Sequence, residues 1–318
     1  MHLVAWFDEI SENNLAYFVG GKGASLCCMY RNKFPVPPGF IICTAAFDYF
    51  IKESGLQEHI LKLVSQIDWD NNSSLADVAS QIRTDIENTP MPTNIVELIK
   101  KYYASLGNNV SVAVRSSGTA EDLENASFAG QQDTYLFIVG IDNVINSIKQ
   151  CWASLYNGRA LFYRHQKGFS ESNISIAVVV QQMINADKAG VMFTANPITK
   201  RKDEVVIEAV WGLGEGLVQG IITPDNYCVK KDTYEIVNER ISEKEIMIIG
   251  IPEEGKVKEV PVPEARAAEP VLSKNELKEL VDIAVRIEKL YNKPQDVEWA
   301  FENGLLYLLQ ARAITTLD

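Results

Sequence analysis

Arg115, Ser116, Ser117, Gly118 and Thr119 follow a short apolar run, Val110 to Val114, whose composition predicts a buried strand. A strand that stops there delivers a guanidinium to a sheet edge. The small residues behind it leave backbone N–H groups and hydroxyls for a polyphosphate. The acidic Glu121, Asp122 and Glu124 come next, and the small-residue run Ala126 to Gly130, followed by Gln131, Gln132, Asp133 and Thr134, has the composition of a lid. A plain Ser/Gly connection with an arginine capping a strand would use the same residues, so this stretch decides nothing by itself. A second cation, Lys22, lies in VGGKGASL, Val19 to Leu26. Glycines on both sides permit close backbone approach. The helical composition from Ala24 to Tyr30 puts the lysine at a helix N-terminus, where the dipole also favours an anion. The spacing is not that of the GxxxxGK[ST] loop, and an ordinary helix entry has the same form.

Oxygen ligands come from Asp296 to Arg312, DVEWAFENGLLYLLQAR. Asn303-Gly304 signals a hairpin. A two-residue turn opposing Glu302 with Leu305 scatters the apolar residues. A three-residue loop of Glu302, Asn303 and Gly304, with a bulge at Gly304, instead puts Val297, Trp299, Phe301, Leu305, Tyr307 and Leu309 on one face. Glu298, Gln310 and Arg312 then share the other, two hard oxygen ligands and a forked cation suited to a magnesium polyphosphate. Ile174 to Met183, ISIAVVVQQM, reads as a strand ending where a flat base could be gripped by backbone edges, with Met183 on its face. A plain central strand fits equally well. Trp211 to Gly220 sets Gly212, Gly214 and Gly216 after a strand, a weak signal for a phosphate turn.

The chain has 318 residues, 47% of them hydrophobic, and exceeds the size at which one core stays single, so two lobes are expected. A net charge of -12 argues against a nucleic-acid groove or an anionic membrane surface as the main partner, so any phosphate site must be locally basic. The five cysteines are odd in number and form no CxxC pair, which reads as reduced thiols. With no secretory leader pattern and no apolar run of about 18 residues, a soluble, cytoplasmic protein is expected. Periodicity predicts helices over Ala45 to Lys52, Glu58 to Ile67, Ser74 to Ile86, Asn94 to Leu106, Asn143 to Leu155 and Gly158 to Gln166. Arg159, Arg164 and His165 are expected on the surface of the last of these. A further helix runs from Ser273 to Tyr291 behind a Ser273/Glu276 capping box. Leu3 to Phe7 reads as a short edge strand or coil, and Pro35, Pro37 and Pro38 fix an extended crossing before Phe40 to Cys43; strands are expected at Ala189 to Thr194, Val205 to Val210, Tyr227 to Lys230, Glu235 to Asn238 and Ile246 to Ile249, and Pro252 to Pro270 reads as an exposed connector.

Six segments, VGGKGASL, PVPPGF, VRSSGTAEDLENASFAGQQDTY, QQMINADKAGVMFTANP, EAVWGLGEGLV and DVEWAFENGLLYLLQARAIT, together resemble one family in order and over essentially the whole chain. It is the nucleotide-binding domain of phosphoenolpyruvate synthase, pyruvate phosphate dikinase and rifampicin phosphotransferase. The resemblance implies an α+β, ATP-grasp fold. Residues 1–178 would form a lobe with the phosphate-binding loop and lid, residues 179–318 a lobe with the adenine hinge and metal-binding hairpin, and ATP would lie between them. In that family ATP becomes AMP while its β-phosphoryl group passes to a histidine on a separate swivelling domain.

Carried onto this chain, the resemblance makes ATP and Mg2+ the cofactors and Lys22, Arg115 and Arg312 the catalytic cations. Lys22 and Arg115 would hold phosphates, with Ser117, Gly118, Thr119, Gly130, Gln131 and Thr134 closing above them. Gln182, Met183 and Ile184 would line the adenine slot, Glu208 would sit at the ribose or the metal, Glu298 and Gln310 would hold magnesium, and Arg312 would steady the phosphoryl group in flight. Three functions stay open: a phosphoenolpyruvate synthase-like dikinase, a rifampicin-phosphotransferase-type antibiotic kinase, and a non-catalytic nucleotide-binding regulatory module. The joint presence of Lys22, Arg115, Glu298, Gln310 and Arg312 argues against the last. The implied partner is the swivelling phosphohistidine domain, in the same longer polypeptide or in trans. His2, His59 and His165 all lie outside the Gly-Gly-x-Thr-[Ser/Cys]-His context of that family's acceptor.

Overall fold

A computed structural model describes residues 2–10, 14–119, 133–168, 174–315 and 317. The lid expected at Ala126 to Gly130, with Gly130 and Gln131 among the candidate site residues, lies outside them. The chain divides into two compact units, one of residues 1–31 and 38–183, the other of residues 32–37 and 184–318.

In the first unit the elements run β1 (Val4–Trp6), α1 (Leu15–Arg31), β2 (Gly39–Ile42), α2 (Thr44–Glu53), α3 (Leu56–Val64), α4 (Asn72–Asn88) and α5 (Thr93–Leu106). They continue with β3 (Val112–Gly118), β4 (Thr134–Ile138), α6 (Ile141–Ser154), α7 (Gly158–Lys167) and β5 (Ile176–Gln182). The five strands form one sheet in the order β1-β2-β5-β3-β4, with antiparallel neighbours. Alternation along the strands separates its faces. Phe40, Ile42, Val112, Val114, Val178 and Val180 turn into a core shared with α2 to α7, where Trp152 stacks on Phe50 at 4.9 Å. The other face carries α1, whose Gly23 comes up against Ile41.

Two expectations change here. The strand does not stop at Arg115: β3 runs on to Gly118, with Ser116, Ser117 and Gly118 paired to Val178, Ala177 and Ile176 of β5. Of these residues, Ser117 meets α1 directly, at the Val19 carbonyl and the Gly23 N–H. Nor is Arg164 on a helix surface. It is buried, its Nη1 donates to the Leu155 carbonyl at 2.6 Å, and its guanidinium lies 5.5 Å from the centre of the Tyr156 ring. Leu155 is the C-cap of α6, so Arg164 satisfies one of the carbonyls that a helix end leaves over.

The second unit contains β6 (Lys188–Phe193), β7 (Glu204–Trp211), α8 (Glu215–Val218), β8 (Asp225–Lys230), β9 (Ile236–Arg240), β10 (Ile246–Ile251), β11 (Lys256–Pro261), α9 (Glu264–Ala267), α10 (Lys274–Tyr291), β12 (Gln295–Glu302) and β13 (Leu305–Ala313). Six of these strands form an antiparallel sheet ordered β13-β12-β6-β7-β8-β9, and β10 and β11 make a separate ribbon. Part of the expected Pro252 to Pro270 connector is therefore strand. The segment Lys256–Pro261 pairs antiparallel with the apolar β10. The capping box at Ser273 and Glu276 is present, and α10 lays its stripe of Leu277, Leu280, Val281, Ala284 and Ile287 against β12 and β6. Residues 32–37 belong to this unit: the Pro35 carbonyl accepts from Leu308 N–H of the edge strand β13 at 2.8 Å, and Arg286 of α10 covers Phe34. No helix among the described residues is long and apolar enough to cross a membrane.

Candidate functional site

The hairpin of β12 and β13 places Glu298 and Gln310 by a route other than the expected one. Glu302 does pair with Leu305, so the turn is the two-residue Asn303-Gly304 one, with φ of 52° and 76°. Both residues are of the types that tolerate positive φ, as a type I′ turn requires. The parity is restored further along, where Leu309 bulges out between Trp299↔Leu308 and Glu298↔Gln310. Leu306 and Leu308, not Leu305, Tyr307 and Leu309, are thus the residues that join Val297, Trp299 and Phe301 in the core, and Leu305 is exposed. The expected three-residue loop is wrong. Its consequence, Glu298, Gln310 and Arg312 on one face, holds because Glu298 faces Gln310 and Asp296 faces Arg312.

The register carries this line across the sheet. Gln310, Glu298, Val191, Glu208 and Asn226 stand opposite one another on β13, β12, β6, β7 and β8 and so point to the same side. Asn226 Nδ2 lies 3.5 Å from Glu208 Oε1. One step along, Asp296 accepts both Arg312 Nε at 2.8 Å and Arg312 Nη2 at 2.7 Å, which fixes the plane of the guanidinium. Asp296, which pairs with the candidate Arg312, is not among the residues expected from the sequence. Its signal was available, since it has the parity of Glu298 two residues away. Among the described residues no three His, Cys, Asp or Glu side chains gather closely enough to enclose a metal.

Burial pushes the Asp296 carboxyl above its usual range, Arg312 pulls it back, and Glu298 adds to the upward push. Burial likewise raises Glu208, against its bond from Asn226, and Asp296 adds to the rise. These are carboxyls that hold a proton more tightly folded than unfolded. Each therefore takes stability away as pH rises from the ordinary carboxylate value through its raised one. Glu298→Gln is expected to bring Asp296 back toward its usual titration and Arg312→Gln to drive it further up, followed by carbon NMR of the carboxyl. An Asp296 titration indifferent to both substitutions would mean that the three groups are not coupled.

In the first unit Arg115 lies on β3 between Val179 of β5 and Thr134 of β4, at alternate positions with Ala113 and Ser117 and hence on the α1 face. The helix that brings Lys22 to this face is interrupted at Gly20, with φ 69° and ψ 173°, and restarts behind it. Lys22 thus sits in the first turn of the restarted helix, half-buried. Burial and Asp133 push the thiol of Cys151 on α6 well up, and the Lys22 ammonium pulls against them. Ser117 is fully buried, donating its hydroxyl to the Val19 carbonyl at 2.8 Å and accepting from Gly23 N–H at 3.0 Å. Thr119 donates to the Ser175 carbonyl at 3.1 Å, Gly118 closes the β3 ladder, and Thr134 is exposed.

Gln182 and Met183 use their N–H groups inside the first unit, on the Pro38 and Ser111 carbonyls at 2.9 Å each, and Ile184 is buried in the second. The histidines are scattered. His59 Nε2 is 2.9 Å from Asp85, His165 stacks flat on Trp69 at 3.8 Å, and His2 is exposed near the N-terminus. Burial pushes the Cys27 thiol up to about 12 and that of Cys228 up to about 11, which keeps both protonated and unreactive at neutral pH.

The model of the pyruvate phosphate dikinase AMP/ATP-binding domain family matches residues 16–318. The chain belongs to that family. It is 49% identical to a probable phosphoenolpyruvate synthase of Methanocaldococcus jannaschii, over the whole of this chain and 27% of that protein. It is 41% identical to the phosphoenolpyruvate synthase of Pyrococcus furiosus, over 99% of this chain and 44% of that one. A rifampicin phosphotransferase of Bacillus cereus is 38% identical, over 98% of this chain and 36% of its own length. The chain thus spans less than half the length of each of these relatives.

Proposed function

We propose that this chain is the ATP-binding, phosphoryl-donating part of a phosphoenolpyruvate synthase-like dikinase with an ATP-grasp fold. ATP and water give AMP and phosphate: the β-phosphoryl group goes to a histidine on a swivelling domain and from there to pyruvate, and the γ-phosphoryl group goes to water. The observation that supports this best is the row Gln310, Glu298, Glu208 and Asn226 with the Asp296-held Arg312 beside it, in a chain of this family. Lys22 and Arg115 hold phosphates, Gln182, Met183 and Ile184 flank the base, and Arg312 meets charge that develops on the transferred group. The higher identity to the synthases than to the rifampicin enzyme favours pyruvate over a drug hydroxyl as final acceptor.

The donor set fits magnesium rather than a metal wanting nitrogen or sulfur. Glu298 and Gln310 are hard oxygen ligands directly opposed on one face, and magnesium keeps several waters instead of needing a closed protein cage. Bound there, the ion would neutralise polyphosphate charge, while Arg312, oriented by Asp296, contributes a fixed cation of its own.

Calorimetry of Mg·ATP binding tests the reading. Lys22→Ala and Arg115→Ala each remove a charge-assisted phosphate contact of about 1.5 to 3 kcal/mol, so affinity is expected to fall on the order of 10- to 150-fold in each. Unchanged affinity in both variants would place the phosphates on other residues.

A further inference from the structure

Ser117 stands two residues beyond Arg115 on the same face of β3, and its hydroxyl reaches both sides of the turn that carries Lys22. It donates to the carbonyl of Val19, three residues before the lysine, at 2.8 Å and accepts from the N–H of Gly23, the residue after it, at 3.0 Å. Because the helix restarts behind Gly20, the Gly23 N–H is among those of a first turn that find no partner inside the helix. Such groups are ordinarily satisfied by a capping side chain at the helix's own N-terminus. Here the cap comes from a strand residue 94 positions away.

The fit is close enough to exclude alternatives. A Cβ at Gly20 would lie 2.2 Å from both the carbonyl oxygen and the hydroxyl of Ser117, and Gly20 has a φ of +69° that side chains rarely adopt. Ser117 is fully buried, and both of its hydrogen bonds are spent on the α1 turn. We infer that Ser117 is a positioning residue, not a phosphate ligand: its hydroxyl sets the Lys22 turn at a fixed place relative to Arg115 on β3, so that the two cations meet one polyphosphate together. This rests on the reading of Lys22 and Arg115 as phosphate-binding. It assigns to Ser117 a part in that site different from the backbone contact expected of it.

The test is a double-mutant cycle on the 318-residue chain, with Mg·ATP and AMP affinities measured by calorimetry and melting temperature recorded for every variant. Ser117→Ala is expected to weaken Mg·ATP about tenfold, through a Lys22 that is no longer held in place, while AMP affinity changes by less than about twofold. In Lys22→Ala, adding Ser117→Ala should weaken Mg·ATP little further, since the group being positioned is already gone. If Ser117→Ala does not fold, Ser117→Cys, which keeps the shape with a weak donor, takes its place, with the same loss expected in smaller measure. A lowered melting temperature with unchanged Mg·ATP affinity would make Ser117 a packing residue only. Losses that multiply in the double variant would make it a nucleotide contact in its own right. Lys22→Ala with wild-type affinity would defeat the phosphate assignment of Lys22 and this inference with it, a result distinct from the other two.

Discussion

With Mg·ATP as its only substrate, the 318-residue chain is expected to form AMP no faster than background and to accumulate no phosphohistidine. The expectation rests on where its histidines are. His59 is tied to Asp85 between α3 and α4, and His165 is stacked face to face on Trp69, with interplanar angle 2°. Neither lies on the strands that carry Arg115 or Glu298, and His2 precedes β1. A site that positions ATP without an in-line acceptor leaves only water, which a closed nucleotide site excludes, and loses the rate advantage of a held nucleophile. Addition of a histidine-bearing swivelling domain from a phosphoenolpyruvate synthase is expected to restore AMP formation by several orders of magnitude. Rapid AMP release with radiolabelled β-phosphate on His59 or His165 would overturn this and make the chain self-sufficient.

The largest effect on stability is expected from a buried pair outside the proposed site residues. Lys244 Nζ lies 2.6 Å from Asp225 Oδ1, and both side chains are wholly buried. Every remaining bond is in place. Lys244 also donates to the Ser242 and Glu269 carbonyls at 2.7 and 3.0 Å, and Asp225 accepts from Ser242 N–H, Val271 N–H and the Tyr227 hydroxyl. One ion pair therefore ties the start of β8 to the two loop segments around residues 242 and 270. Removing one partner leaves a buried charge without its counter-ion, so Lys244→Met is expected to cost about 3 to 5 kcal/mol in denaturant unfolding. The double variant Asp225→Asn/Lys244→Met should recover part of that loss, because no net charge then remains inside. A loss below about 1 kcal/mol in the single variant would show that the surroundings solvate Asp225 without the lysine.

The parts legible in the sequence are those set by local pattern. Most helices of the first unit, the capping box of α10 and the Ile176–Gln182 strand fall where periodicity and capping residues put them, to within a few residues. The hairpin shows where such reasoning stops. LLYLL contains leucines of both parities, so a period of two is satisfied by more than one register, and the turn chosen on that basis was the wrong one. Asn303-Gly304 already specified the right turn through its tolerance of positive φ. The bulge at Leu309 that reconciles turn and core depends on β12 being fixed between β13 and β6, a constraint no local window contains.

The sequence by itself determined, through its ordered segments, the family to which the chain belongs, and it put forward Lys22, Arg115, Glu298, Gln310 and Arg312 as the residues proposed for its chemistry. Side-chain type and strand parity are properties of the chain alone, but with the two-residue turn Glu298 and Gln310 share one face only because Leu309 bulges out of the ladder. Only the tertiary structure decided what each polar group is bonded to. Ser117 is drawn from an expected phosphate loop into the interior as a cap for the α1 turn, Arg164 from a surface to the end of α6, and Asp296 from obscurity to the carboxylate that holds Arg312. The reason is physical: a buried donor or acceptor must find a partner within hydrogen-bond reach. Which partner is in reach is settled by packing between elements distant in the chain, not by the residues beside it.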